Sequence, residues 1–225
     1  MHIQPITTLT LFQFEGRSNK FWAFKQMGVA APFFEKIPGL DFFKLLGTGG
    51  GNGFSLRPNF SQYGLLFVWK SEEDAKRFFQ EDLLFLSYKK RAASFQTYYL
   101  SPSMCHGKWD GKEPFTPAAK FDDDAPVAVI TRARIRLNQL IRFWRFVPSA
   151  SRDVHQQRGL QLAVGIGELP FIQQATFSLW EDGKSMLEYA YKRREHARVI
   201  QQTRKHNWYS EELFARFQVL SVESN

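Results

Sequence analysis

With 225 residues, 44% of them hydrophobic and 23 of them phenylalanine, the chain can bury a sizeable core and is not disordered. A net charge of +8 favours an acidic partner (nucleic acid, anionic lipid or an acidic redox protein), although a charge of this size also serves solubility alone. The single cysteine, Cys105, excludes an internal disulfide, a CxxC metal knuckle and covalent CxxCH haem attachment, and it suits a reducing cytoplasm.

The N-terminal residues lack a basic segment followed by an apolar stretch, so no signal peptide is expected. No apolar run approaches the roughly 18 residues needed for a membrane-spanning helix. The expectation is a cytoplasmic protein, with contact to the inner face of the cytoplasmic membrane limited to peripheral binding.

Along the chain, residues 8–14 alternate apolar and polar as a half-buried strand does. Residues 19–36 suit a helix ended by Pro38-Gly39, and 41–49 form a short strand entering a glycine-rich loop. A buried strand is expected at 62–69. A helix then starts at Ser71, whose hydroxyl precedes the acids Glu72, Glu73 and Asp74, and runs to about Ser87, with a further amphipathic segment before a strand at 95–101. Residues 102–125 carry prolines, glycines and Asp122-Asp123-Asp124 and read as a linker. The second half offers strands at 126–132, 160–166, 173–180 and 215–221, with helices at 137–147 and about 183–205.

The halves repeat one another. KFWAF (20–24) corresponds to RFWRF (142–146) and LLFVWKSEEDA (65–75) to TFSLWEDGKSM (176–186), and Trp22/Trp144, Gly39/Gly159 and Leu100/Leu220 recur at a spacing of about 120 residues. Each half reads β-α-β-β-α-β. The fold class is therefore α+β, two tandem ferredoxin-like repeats, with two antiparallel sheets face to face and helices outside. The units are 1–101, the linker 102–125, and 126–225.

Several constellations invite chemistry. The glycine run 47–53 lacks the Lys-Ser/Thr of a phosphate loop and the spacing of GxGxxG, so it reads as a turn. YGLLFVW (63–69) holds only a fragment of an RNA-recognition motif and is apolar on both faces, against nucleic-acid binding. Arg132, Arg134, Arg136, Arg142 and Arg145 crowd the start of the second half, either as a solvated basic rim or as an anion clamp. Among the histidines, His2, His106, His155 and His206 have structural explanations. His196 borders the apolar face of a helix and lies as far past Trp180 as Phe85 lies past Trp69. A residue that is Phe in one copy and His in the other is either hydrogen-bonded core or a ligand, and an imidazole facing an aromatic cavity suits a haem iron.

FWAFKQMG (21–28), GFSLRPN (53–59), RFWRFVP (142–148), GIGELP (165–170), QATFSLW (174–180) and EELFARFQVL (211–220) together resemble the spheroidene monooxygenase family from about residue 8 to residue 221. The resemblance implies a single-chain form of the dimeric αβ-barrel, with haem (heme b) as cofactor, dioxygen as co-substrate, a ferredoxin-type electron donor and an acyclic carotenoid as substrate. It matches His196 to the family's helical histidine, twelve residues before Trp208, and Arg132, Arg136, Arg142, Arg145 and Gln174 to family positions. The reading it supports places His196 on the iron and Arg132, Arg142 and Arg145 around the propionates. Phe143, Trp144, Phe146 and Phe177 would line the pocket, and Gln174 would donate to the oxygen. The rival from another class is a non-catalytic haem- or carotenoid-binding protein.

Overall fold

A computed structural model of the chain describes residues 4–50, 58–145, 157–169, 171–192 and 208–225. The first half contains β1 (Ile6–Gln13), α1 (Arg17–Val29), α2 (Ala31–Phe34), β2 (Leu40–Gly49), β3 (Pro58–Trp69), α3 (Glu72–Glu81), α4 (Leu83–Arg91) and β4 (Ser94–Gly107). The second contains β5 (Val127–Ile135), a 3-10 turn (Leu137–Gln139) leading into α5 (140–145), β6 (Leu160–Leu169), β7 (Gln173–Trp180), α6 (Gly183–Lys192) and β8 (Tyr209–Ser224).

Every strand pairing is antiparallel. The first half is ordered β4-β1-β3-β2 and the second β8-β5-β7-β6, the same order in both copies. Instead of lying face to face as separate sheets, the two join at both edges into a closed barrel. One seam is long, β4 against β8 from Gln96↔Ser224 to Gly107↔Leu213. The other is short, β2 against β6 at Gly47↔Gly167 and Thr48↔Ile166. Closure removes the unpaired edges that two separate four-stranded sheets would expose.

Strand alternation divides the apolar residues between the two faces. Leu9, Leu11, Leu66, Tyr98, Leu100, Ile130, Ala215 and Phe217 point inward and fill the barrel. Phe12, Leu65, Phe67 and Trp69 point outward, where α1 to α4 cover them with Phe34, Phe78, Phe79, Phe85 and Tyr88. Phe67 lies 5.1 Å from Phe34 and 5.3 Å from Phe78, both edge-on. Such pairs add about 0.5–1.5 kcal/mol each beyond the area they bury.

The helices expected at 19–36 and from Ser71 to Ser87 are both divided. Pro32 has no N–H to continue the ladder, so α1 ends at Val29 and α2 restarts around it. Asp82 breaks the second, being extended itself while its carboxylate accepts the Phe85 N–H at 2.8 Å to start α4. Ser71 caps α3 as expected, its hydroxyl accepting from Asp74 N at 3.1 Å.

The segment 102–125, expected as a linker, is partly sheet and partly core. β4 runs on to Gly107, and Trp109 and Phe115 are buried in the barrel cluster, Phe115 edge-on to Phe217 at 5.0 Å. At Gly107 (φ 88°) a Cβ would sit 2.1 Å from the Glu212 carbonyl oxygen, so only glycine lets the chain turn back over the barrel end.

Charged groups pin this turn. Lys44 pairs with Asp110 and, at 2.6 Å, with Glu168, which also accepts from Trp109 Nε1 at 2.7 Å. Arg132 pairs with Glu211 and, at 3.1 Å, with Asp110. Glu211 also accepts the backbone N–H groups of Asp110 (3.0 Å) and Gly111 (2.7 Å).

Candidate functional site

Trp69 faces Ile6 and Trp180 faces Val127, which puts the two halves in register residue by residue. On the outward face the copies then differ at neighbouring places. Where the first half has Phe12, Tyr63, Leu65 and Phe67, the second has Ala133, Gln174, Thr176 and Ser178. Where β2 carries Phe43 and Leu45, β6 carries Ala163 and Gly165. The backbone ladder is kept while its large side chains are gone from the middle of the face.

Physical chemistry constrains what fills that space. Truncating a buried phenylalanine to a small residue costs about 3–5 kcal/mol when the void remains. Three of the exchanges remove a phenylalanine (Phe12, Phe43 and Phe67), and at that rate these alone approach the about 5–15 kcal/mol that holds a typical domain together. The space is therefore occupied, by the chain's own covering segment or by a guest. Three neighbouring strands at about 4.8 Å spacing make the emptied area about 10 Å across.

Two apolar clusters frame it. At the Trp180 end, Val127, Val129 and Met186 gather with Trp180, on which Tyr189 of α6 stacks at 5.3 Å. At the other end, Ile135 and Phe143 gather with Trp208, Phe143 lying 6.0 Å from the Trp208 ring. Trp144 joins this end and donates through Nε1 to the Phe171 carbonyl at 3.1 Å. In the first half the corresponding face is one continuous cluster.

The residues expected at the site divide between the two faces. Gln174 lies on the emptied face, Phe143 and Trp144 border it, and Arg142 and Arg145 are exposed on α5 beside them. Arg136 donates through Nε to the Tyr209 carbonyl at 3.1 Å. Arg132 and Phe177 point the other way, into the barrel. Phe177 packs 5.1 Å from Tyr98, and the Arg132 side chain is 1% exposed between Glu211 and Asp110. Both lie on the face opposite to Gln174. Each sits at odd spacing from its outward neighbour, Ala133 or Thr176, and a period of two sends such pairs to opposite faces. His196 and Phe146 lie outside the described residues.

The electrostatics agree with a structural role for Arg132. Burial pushes the Glu211 carboxyl up, but the Gly111 N–H, Arg132 and the Asp110 N–H outweigh it and hold the group below its ordinary value. Asp110 behaves alike, burial being outweighed by Lys44 and Arg132. Both anions engage the guanidinium through its Nη groups, while its buried Nε has no partner among the described residues.

The single residues that matter most here, Ala133, Ala163, Gly165, Thr176 and Ser178, are not among those the sequence reading singled out. Their signal is present in the repeat: ITTLTLFQF laid on VAVITRARI sets Phe12 over Ala133. It becomes a pattern only when the pairing register shows that the small residues share one face.

No protein-family model matches the chain. Curated relatives do. It is 37% identical over 216 residues to a spheroidene monooxygenase of Cereibacter sphaeroides, covering 96% of this chain and 67% of the relative. It is 33% identical over 223 residues to the spheroidene monooxygenase of Rhodobacter capsulatus, covering 98% of this chain and 92% of the relative. The chain belongs to the spheroidene monooxygenase family. A third member, from Rubrivivax gelatinosus, is 37% identical over 186 residues, covering 83% of this chain and 71% of the relative.

Solved structures of aldoxime dehydratases share the fold. One, 9% identical, has a TM-score of 0.60 over 96% of this chain and 82% of its own. Another, 12% identical and in complex with butyraldoxime, has 0.59 over 96% and 80%. At these identities the likeness concerns the fold alone. Among the described residues no helix is long and apolar enough to cross a membrane.

Proposed function

We propose that this chain is a carotenoid monooxygenase that holds haem b against the outward face of β6, β7 and β5 and inserts oxygen near the terminus of an acyclic, spheroidene-like carotenoid. The observation that carries the proposal is the emptied face in a member of this family: one of two matching sheets has exchanged its aromatic filling for Ala133, Ala163, Gly165, Thr176 and Ser178. The two halves are read as tandem ferredoxin-like units, of which the second became the binding half.

The residues present fit a planar macrocycle. The face is lined by small side chains, it is apolar at both ends, and Gln174 and Thr176 offer polar contacts within it. Arg142 and Arg145, one helical turn apart on α5, would meet propionates at the rim. His196 would hold the iron. When bound, haem would supply the redox chemistry that activates dioxygen, with electrons from a ferredoxin-type donor suited to the +8 chain. The chain's own work would be to seat the cofactor, keep water from the Trp208 end through Phe143 and Trp144, and offer the Gln174 amide as a hydrogen-bond donor.

Co-expression with a pathway making lycopene or spheroidene under labelled dioxygen tests the activity. A carotenoid ketone or alcohol carrying the label is expected. Unchanged carotenoid in cells holding haem-loaded protein and a competent donor would refute the enzyme reading and leave a binding protein. His196→Ala should give folded, haem-poor protein, while His206→Ala should retain haem. A normal Soret band in the first variant would remove His196 from the iron.

A further inference from the structure

The FWxF motif that borders the proposed site in the second copy has the opposite fate in the first. Phe143 is 8% exposed, whereas Phe21, at the same place in its copy, is 70% exposed and Phe24 is 53% exposed. On α1, Arg17, Phe21, Phe24 and Gly28 fall at i, i+4, i+7 and i+11, one stripe along the helix, with Lys20 and Lys25 flanking it on either side. The face turned to the barrel carries Ala23 and Gln26. α1 thus turns two phenylalanines to solvent.

Its surroundings extend the same chemistry. Phe60 of β3, 54% exposed, lies edge-on to Phe24 at 5.9 Å. Arg91, at the end of α4, stacks over Trp22 at 5.0 Å beside the exposed Lys90. α1 contains no acidic residue, and no salt bridge ties Arg17, Lys20 or Lys25 to a described carboxylate. Glu15, just before the helix, is the acid nearest in sequence.

We infer that α1 with the Phe60 tip is a docking surface for an anionic phospholipid bilayer. Phe21, Phe24 and Phe60 would enter the interfacial zone while Arg17, Lys20, Lys25 and Arg91 meet headgroup phosphates. Aromatic side chains ringed by cations with no compensating acids match the chemistry of that interface, where both the apolar and the electrostatic contributions are favourable. A patch meant only for solubility would not expose three phenylalanines. The inference rests on this surface and not on the proposed activity. If both hold, the same face brings the enzyme to the phase in which a long polyene dissolves.

The test is co-sedimentation of the full-length chain with carotenoid-free vesicles of phosphatidylcholine, with and without about one-third phosphatidylglycerol. Binding to the anionic vesicles is expected, weakened by raising salt from about 0.1 to 0.5 M as the Debye length shrinks. Because Phe21 and Phe24 face solvent, Phe21→Ser/Phe24→Ser should fold normally and bind about tenfold or more weakly. Lys20→Gln/Lys25→Gln should lose most of the salt-sensitive part. Equal binding by the phenylalanine variant, or no preference for anionic vesicles, would overturn the inference. So would a concentration-dependent dimer that this variant abolishes, since the face would then be covered by a second copy of the chain.

Discussion

The outward faces of the two half-barrels share a ladder and differ in everything that rests on it. Phe12, Phe43, Phe67 and Tyr63 in one copy stand opposite Ala133, Ala163, Ser178 and Gln174 in the other. The first face is closed by four helices and a continuous aromatic cluster, with Trp69 donating to Thr8 Oγ1 at 2.9 Å beneath it. The second keeps the matching Trp180 but surrounds it with a small cluster, and a separate one lies at the opposite end. Duplication gave two equal scaffolds. The one kept full carries the continuous aromatic packing, and the other has given up part of it.

The largest effect follows from reversing the first half's filling. Phe67→Ser should cost about 3–5 kcal/mol, because a fully buried ring in contact with Phe34 and Phe78 leaves a void that neither can fill. The matching Ser178→Ala removes no ring, only the hydroxyl that accepts the buried Trp180 Nε1 at 3.0 Å, and should cost about 1–3 kcal/mol. Urea unfolding midpoints measure both. Similar losses at the two positions would mean that the second face is packed as tightly as the first.

Arg132→Met should cost less, about 1–3 kcal/mol, because Glu211 keeps two backbone N–H donors and Asp110 keeps Lys44. The expectation for haem is the reverse: protein that still folds should take up haem normally. Haem loss without loss of stability would return Arg132 to the outer site.

Acid should loosen the same barrel end. Asp110 and Glu211 are held below their ordinary values, so the folded state binds fewer protons than the unfolded chain, and their contribution is present at neutral pH and lost as pH falls through the lowered values. Emission from Trp109 should therefore change below about pH 4. Asp110→Asn should flatten the acid limb. An unchanged limb in that variant would place the titration elsewhere.

The smallest effect concerns the rim. Arg142→Gln/Arg145→Gln should speed haem loss severalfold without altering unfolding, because both side chains are exposed. Unchanged haem loss with weaker ferredoxin binding would make them a docking patch.

How much of this was legible in the sequence depends on the distance over which the signal acts. Local chemistry read well: β7 was expected at 173–180 and Ser71 as a cap, since periodicity and capping involve neighbours. The repeat was legible from its tryptophans. The turn at 107–111 was not, because Trp109 is held by Lys44, Arg132 and Glu168 from distant strands, and a Gly/Pro-rich segment gives no hint of that. Of the residues named for the site, Gln174, Phe143 and Trp144 neighbour one surface, while Arg132 and Phe177 point to the opposite face, since the identity of a strand residue does not fix its face until the register is known.

The measurement that tests the central claim most directly is haem titration, followed by Soret absorbance, of the wild-type chain against Ala163→Phe/Ser178→Phe, which rebuilds the first half's filling on the second face. The account predicts stoichiometric uptake by the wild type. It predicts none by the variant, whose barrel should remain folded by circular dichroism. A refilled variant that binds haem like the wild type would contradict the account and move the site off this face.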